Sequence, residues 1–251
     1  MLFRLNTVIY ILVGILAILL GQITFHLCRK MPPVVAEEIT YKEFFNSLFQ
    51  DFKLDIKYSF IYLILFVFLI YFNGNTVDTY IYVFMCLPLF LAFSIDFRYQ
   101  LIPDETHIFL VVLGIIKLCF NLQLWWNYLL GAIIGGGIFW GLGLLALIIF
   151  KKEGMGFGDV KLMASLGFIF GIKYTLVITL VSFFLGAIIG GILLITKKSD
   201  VDSYIPFGPF IVVATILLMF VPADVIIDIY INFCSWLGMK MFDVIYFVMP
   251  K

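Results

Sequence analysis

Long apolar segments recur along almost the whole chain, and they constrain its fold more than any other feature. A helix needs about 20 consecutive apolar residues to cross the hydrocarbon core of a bilayer. Here the mean hydropathy is +1.14, and 13% of the 251 residues are charged. Typical soluble domains carry about 25% charged residues. The sequence therefore excludes an ordinary soluble globule and indicates a membrane protein.

The apolar segments favour helices over the strands of a membrane barrel. Barrel strands alternate apolar and polar residues, whereas these segments are apolar all round. We therefore expect an all-α fold, a polytopic membrane bundle with eight or nine transmembrane helices. The candidate spans are residues 7–27, 57–73, 79–95, 106–121, 127–150, 160–172, 174–196, 205–220 and 223–239.

The basic residues are distributed unevenly between the loops. With the spans counted in this way, 13 of the 16 lysines and arginines fall on one face of the membrane. The three assigned to the other face, or leaning toward it, are Arg4, Lys117 and Lys173. Treating 160–172 and 174–196 as two passes keeps Lys197 and Lys198 with the majority. Because basic loops face the cytoplasm, we expect this face to be cytoplasmic.

Composition divides the chain into three parts. Residues 1–28 contain the first transmembrane helix, whose apolar run is too long for the core of a signal peptide. Residues 29–57 form a short polar cytoplasmic loop, in which aromatic residues recur near helical spacing and indicate one amphipathic surface helix. Residues 58–251 form the membrane-embedded core, which carries the chemistry.

Two aspartates of this core lie at the ends of apolar spans, Asp96 in SIDFRYQLIPDETH and Asp159 in GMGFGDVKLMASLG. An ionisable residue at membrane depth is costly and usually functional. Two adjacent carboxylates can share one proton, so that one acts as base and the other as acid. Such a pair can activate water against a peptide bond. The pattern indicates an intramembrane aspartyl hydrolase that places both carboxylates on one water.

Structural roles are the alternative for these acidic residues. Asp159 follows three glycines and could be the N-cap of the next helix, and Asp104, after Pro103, could cap another. Asp96 has no such role, because a carboxylate near a helix C-terminus opposes the macrodipole. Arg98 could neutralise it at the interface instead.

Other kinds of site find less support in the sequence. A net charge of +0 without a basic surface argues against nucleic acid as a partner. The four cysteines form no CxxC pair, and the only histidines are His26 and His107, so a metal site is not expected. The glycines of GMGFGD follow no β-strand, which rejects a dinucleotide site. Aspartyl hydrolysis needs no cofactor.

Two segments resemble a known family. DFRYQLIPD and GMGFGDVKLMASLGFIFG are similar to the two signature regions of bacterial type IV prepilin peptidases, membrane aspartyl proteases of the GxGD class. SYIPFGPFIVVA, residues 203–214, is similar to the region that opens a late span in that family. The first span and its exit, LVGILAILLGQITFHLCRKMP, resembles the family's N-terminal region only loosely. The clear resemblance covers about residues 85–215.

The resemblance implies that Asp96 and Asp159 are the two catalytic aspartates. Supporting positions that match the family's motifs are Gly156, Gly158, Asp104 and Lys161. The family cuts the short basic leader of prepilins and pseudopilins after a glycine, on the cytoplasmic side of the bacterial inner membrane. By resemblance, such a prepilin or pseudopilin is the expected substrate, and membrane lipid surrounds the enzyme.

One departure from the family concerns the loop at residues 29–57. Many members carry a longer loop with paired CxxC motifs, associated with zinc binding and with N-methylation of the new terminus. This loop contains no cysteine, so no zinc site is expected, and methylation by S-adenosylmethionine is left open.

Two other functions use the same residues. A proton-coupled transporter could relay protons through these aspartates, although it predicts broken helices in an internal repeat, which the sequence lacks. A scaffold with a dead active site would not require both aspartates. The sequence leaves the particular prepilin and the oligomeric state open.

Overall fold

The protein is described by a computed structural model that covers residues 2–31, 56–151, 154–196 and 206–248. Within these ranges the chain is helical and contains no strand, which confirms the predicted all-α membrane bundle. The α-helices are α1 (Leu2–Lys30), α2 (Ile56–Asn73), α3 (Val77–Tyr99), α4 (Asp104–Phe120), α5 (Trp125–Phe150), α6 (Phe157–Ile195), α7 (Gly208–Phe220) and α8 (Ala223–Val248). The predicted surface helix between residues 29 and 57 lies outside the described residues.

The expected number of eight or nine spans is wrong. In the described part of the chain, four stretches are long and apolar enough to cross a membrane, and a fifth arises if Gly208–Phe220 and Ala223–Trp236 count as one span. The four are Ile56–Asn73, Val77–Tyr99, Leu122–Ile149 and Phe157–Leu193. α4 and α7, which we counted as spans, have 17 and 13 residues; about 17–25 residues are needed for a crossing, so α4 is at the lower limit and α7 is below it. The protein is a multi-pass membrane protein, and its described residues contain fewer candidate spans than expected.

α6 is not straight, because the chain turns back within it at Gly171. This residue has φ 76° and ψ −179°, a conformation that glycine adopts without a steric penalty. A Cβ atom on Gly135 of α5 would lie 2.7 Å from Met163 O and 2.9 Å from Thr175 Cγ2, so those two atoms are within about 6 Å of each other. In a straight helix, residues 12 positions apart are separated by about 18 Å. The two arms of α6 are therefore antiparallel, so the stretch Phe157–Leu193 that is counted above as one contains the two separate apolar segments that the sequence predicted.

Close packing of α5 on α6 depends on glycine. Gly131 and Gly167 face each other so closely that a Cβ atom on either would collide with the backbone of the other. Asn127 accepts a hydrogen bond of 3.2 Å from the backbone N–H of Ile172, directly after the turn at Gly171. Small residues allow helices to approach in a membrane, where no hydrophobic force drives them together. These contacts fix both arms of α6 against α5.

α1 packs on α2 through buried polar pairs. Gln22 donates to Ser59 Oγ, and the hydroxyls of Thr24 and Tyr62 are 2.6 Å apart. A Cβ atom on Gly21 would lie 2.8 Å from the Ser59 Cα atom. Interhelical hydrogen bonds and close backbone contact both stabilise helix pairs in lipid.

By its internal packing the chain forms two units, Met1–Phe220 and Val221–Lys251. The first unit contains α1 to α7 and all the residues of the candidate site. The second contains α8, on which apolar side chains such as Ile229 and Phe233 are exposed. The three-part division predicted from composition stays a prediction.

Candidate active site

Asp96 lies in the last turn of α3 with its side chain buried, 4% exposed. Gln100 ends the helix in the left-handed conformation, and its N–H bonds to Asp96 O. The Asp96 carboxylate accepts a hydrogen bond from the backbone N–H of Gly208, the first residue of α7. A helix N-terminus offers unsatisfied N–H groups and partial positive charge. α7 therefore supplies the stabilisation that Asp96 lacks at the end of its own helix.

Asp159 is the third residue of α6 and is also buried, 3% exposed. Its carboxylate accepts a hydrogen bond from the backbone N–H of Gly156, the residue that precedes the helix. In a capping box, the acidic side chain at the third position of a helix accepts the same hydrogen bond from the backbone N–H of the N-cap residue. Asp159 is therefore not the N-cap residue itself, because the helix already begins at Phe157.

The fold brings these two carboxylates together although they are 63 positions apart in the sequence. They are close enough to interact electrostatically. Asp96 Oδ2 and Asp159 Oδ1 are buried and have no hydrogen-bond partner among the described residues. Buried polar atoms are normally paired, so each carboxylate keeps one oxygen that a water or a substrate can use.

Ile102, in the loop between α3 and α4, packs against two glycines beside the aspartates, Gly158 and Gly208. A Cβ atom on Gly158 would be 3.2 Å from Ile102 Cβ, and one on Gly208 would be 3.1 Å from Ile102 Cδ1 and 2.5 Å from Asp96 Oδ2. A side chain at position 208 would therefore collide with the Asp96 carboxylate, whereas one at position 158 would require Ile102 to shift slightly. Neither Gly208 nor Ile102 was predicted as a site residue. The glycine before Pro209 at the start of an apolar segment was the available signal for Gly208, and Ile102 has none.

Aromatic rings hold the beginning of α7 in place. The ring of Phe207 lies 5.7 Å from that of Phe139 on α5 and 5.0 Å from that of Phe183 on the second arm of α6. Such pairs add about 0.5–1.5 kcal/mol beyond area burial. They position the N–H of Gly208 against Asp96.

Asp104 and Lys161 form an ion pair beside the aspartates, with Lys161 Nζ 2.7 Å from Asp104 Oδ1. The predicted N-cap role of Asp104 is wrong, because Pro103 occupies the cap position and α4 begins at Asp104. The hydrogen bond from Lys161 lowers the pKa of the Asp104 carboxyl. Both side chains are exposed, and exposed pairs contribute about 0–1 kcal/mol. The pair links α4 to α6 two residues after Asp159.

Arg98 does not neutralise Asp96. Two residues further along α3, it lies about 200° around the helix axis. Its side chain is exposed and lines a cavity together with Arg29 of α1. The alternative in which Arg98 neutralises Asp96 at the membrane interface therefore finds no support.

The two histidines lie apart from the aspartates in the sequence and are both buried. Both ring nitrogens of His107 lack a hydrogen-bond partner. Across the described ranges, no group of three or more His, Cys, Asp or Glu side chains is arranged to hold a metal ion.

Comparison with known proteins agrees with this geometry. Residues 83–191 match the profile of the type IV leader peptidase family, and this region contains Asp96 and Asp159. This part of the chain belongs to the type IV leader peptidase family. The resemblance seen in the sequence motifs is thereby confirmed. Gly208 lies beyond the matched region.

Relatives named prepilin leader peptidase/N-methyltransferase occur in several bacteria. The protein of Xanthomonas campestris pv. campestris is 39% identical over 143 residues, 57% of this chain and 50% of the relative. That of Bacillus subtilis is 34% identical over 151 residues, 60% and 58% of the two chains. That of Legionella pneumophila is 31% identical over 187 residues, 73% and 65%. The chain spans about half the length of the first relatives it matches. No solved structure matches it significantly.

Proposed function

We propose that the protein is a membrane aspartic endopeptidase that removes the leader peptide of type IV prepilins or pseudopilins. The convergence of buried Asp96 and Asp159, each with one unpaired oxygen, is the observation that carries this proposal. Family membership supports the substrate class, because the matched relatives are named for prepilin leaders. The comparisons give no support to a proton-coupled transporter.

In the proposed reaction the two aspartates hold one proton between them and bind one water. The ionised carboxylate takes a proton from the water as its oxygen attacks the scissile carbonyl carbon. The protonated carboxyl donates to the carbonyl oxygen and forms a tetrahedral intermediate. When the C–N bond breaks, the protonated carboxyl gives its proton to the leaving nitrogen, and the other carboxylate takes a proton from a hydroxyl of the intermediate, so the pair again holds one proton. The cycle therefore consumes only water.

We propose that the substrate backbone approaches the carboxylates beside Gly158 and Gly208. Ile102 packs against both glycines, so on this proposal its side chain moves aside when a peptide binds. The missing side chains at the two glycines leave room for the peptide main chain, which supports a cleft that accepts small residues at the cleavage point.

We infer an orientation with the aspartates toward the cytoplasm of a bacterial inner membrane. Basic residues gather at the end of the bundle where the aspartates lie, and basic segments face the cytoplasm. They include Arg29, Arg98, Lys151 and Lys161. Leader processing at this face fits the substrate class.

N-methylation of the new N-terminus is a second activity to test, because the matched relatives carry it in their names. S-adenosylmethionine would be the methyl donor, while peptide cleavage by the aspartates calls for no cofactor.

Co-expression with a candidate prepilin, followed by mass measurement of its N-terminus, tests both activities. We expect cleavage by the wild-type chain and none by Asp159→Asn, while Asp228→Asn, an exposed aspartate in α8, cleaves normally. Full processing by Asp159→Asn would overturn the proposal. An added methyl group on the product would establish the second activity.

A further inference from the structure

A groove outside the aspartate site joins two cavities at the same end of the bundle. One has a volume of about 490 Å³ and lies between α2, α3 and α7, and the other has about 240 Å³ and lies between α1, α2 and α3. Tyr58, Ser94 and Arg98 line both cavities. We call the joined space the α2–α3 groove.

The larger cavity is the apolar part of the groove. Phenylalanine rings of α3 form one wall, and aliphatic side chains of α7 form the other. These residues are Phe90, Phe93, Phe97, Val212, Val213 and Ile216. Phe97 and Val213 are 66% and 44% exposed, so this part opens sideways toward the surrounding lipid. Its shape and chemistry suit a hydrocarbon chain.

The smaller cavity is the polar mouth of the groove. Arg29, in the last turn of α1, and Arg98, in the last turn of α3, both line it. No carboxylate is among the described residues that line either cavity. Two cations placed together are stabilised by an anion between them. Guanidinium groups bind phosphate in a bidentate manner.

We propose that the α2–α3 groove binds an anionic phospholipid, with the phosphate at Arg29 and Arg98 and an acyl chain along the phenylalanines of α3. Charge complementarity selects this occupant, because a basic peptide would be repelled at the mouth and a wholly apolar helix would leave the guanidiniums uncompensated. Basic pockets between transmembrane helices bind anionic head groups in this way. The proposal does not depend on peptidase activity.

Binding of this lipid has a consequence for the aspartate site. The last turn of α3 presents Arg98 and Phe97 to the groove and Asp96 to the interior. A lipid held in the groove therefore stabilises the turn that positions Asp96.

Native mass spectrometry of the purified full-length chain, titrated with phosphatidylglycerol or phosphatidylcholine, tests the proposal. We expect Arg29→Gln/Arg98→Gln to weaken phosphatidylglycerol binding about tenfold or more, the loss expected from charge-assisted hydrogen bonds. Lys30→Gln removes the same charge from the residue next to Arg29 and should leave binding unchanged. Equal losses in both variants, or none in the double variant, would overturn the proposal.

Two further arms separate a lipid from a free anion and from a folding defect. Val213→Trp fills the apolar part and should weaken phosphatidylglycerol binding while both arginines remain. Inorganic phosphate alone should not compete with the lipid, and full competition would contradict a lipid site. If the glutamine variant does not fold, Arg29→Lys/Arg98→Lys replaces it, and unchanged lipid binding by that folded variant would count against bidentate recognition.

Discussion

Buried ionisable residues lie near both ends of α3, and the partners of their polar atoms differ between the two ends. At the end near Asp78, buried Lys117 lies 3.0 Å from the Asp78 carboxylate. Its ammonium also lies 5.7–5.9 Å from the centres of three aromatic rings, those of Tyr82, Tyr128 and Phe170. About 27 Å away along the helix, Asp96 and Asp159 are more deeply buried than Asp78, and each keeps an unpaired oxygen.

This difference distinguishes a buried group that stabilises the fold from a pair of buried groups suited to chemistry. The buried Lys117 ammonium is compensated by a carboxylate and by three aromatic rings. It therefore stabilises the fold and is not available to react. Two buried acids with unpaired oxygens cost stability, and proteins retain such groups where activity needs them. Changes at the two ends should therefore have opposite effects on activity and stability.

The largest effect is expected at the aspartates. Asp96→Asn or Asp159→Asn should lower prepilin cleavage by about a thousandfold or more, since removing one member of a catalytic unit removes most of its rate enhancement. Because an amide avoids a buried charge, thermal stability should be kept or raised. Cleavage rates and melting temperatures of purified variants in detergent measure both. A variant that loses stability and activity together would make these residues structural.

Gly208→Ala should have the next largest effect. The added Cβ atom would lie 2.5 Å from Asp96 Oδ2, so it displaces the carboxylate, and misplacement by about 1 Å can cost a hundredfold in rate. Gly137→Ala is the matched control, because its Cβ atom would meet nothing within 4 Å. Initial rates of cleavage compare them. Equal activity of the two alanine variants would contradict the placement of Gly208.

Lys117→Met should act in the opposite sense to the aspartate variants. Loss of the ion pair and of the ring contacts should lower the free energy of unfolding by about 1–3 kcal/mol, with cleavage per folded molecule retained. Denaturation in mild detergent gives the first quantity, and rates normalised to folded protein give the second. A Lys117→Met variant that is inactive but as stable as the wild type would contradict the structural role assigned to Lys117.

The smallest effect is expected at the exposed pair beside the site. Asp104→Asn should change stability by less than about 1 kcal/mol and lower cleavage only several-fold, because the pair only links α4 to α6. Lys161→Met should match it, and the double variant should be no worse than either. A loss as large as that of Asp159→Asn would instead place Asp104 in the chemistry.

The sequence predicted the helical membrane fold and the turn within α6, and it singled out the two aspartates, whose catalytic role stays a prediction, because each rests on a local pattern. Apolar length indicates a membrane helix, a glycine interrupts it, and a carboxylate in an apolar segment stands out. The span count failed because the short segments 106–121 and 205–220 were counted as crossings, and the helices found there, α4 and α7, have only 17 and 13 residues.

Long-range contacts explain the other differences. Asp104 follows a proline, and its local sequence predicts a helix N-cap. Its side chain bonds instead to Lys161, 57 positions away. Gly208 and Ile102 matter only because α7 and the α3–α4 loop meet at Asp96. The sequence pattern of a single segment does not predict such contacts between distant segments.

The central claim is that Asp96 and Asp159 act as one unit on one peptide bond. A double-mutant cycle on prepilin cleavage by the purified enzyme tests it most directly, with Asp96→Asn, Asp159→Asn and the double variant measured by mass spectrometry of the product. Residues that act as a unit are strongly non-additive, so the double variant should be no slower than either single variant. Independent losses that multiply in the double variant, or substantial activity in either single variant, would contradict the account.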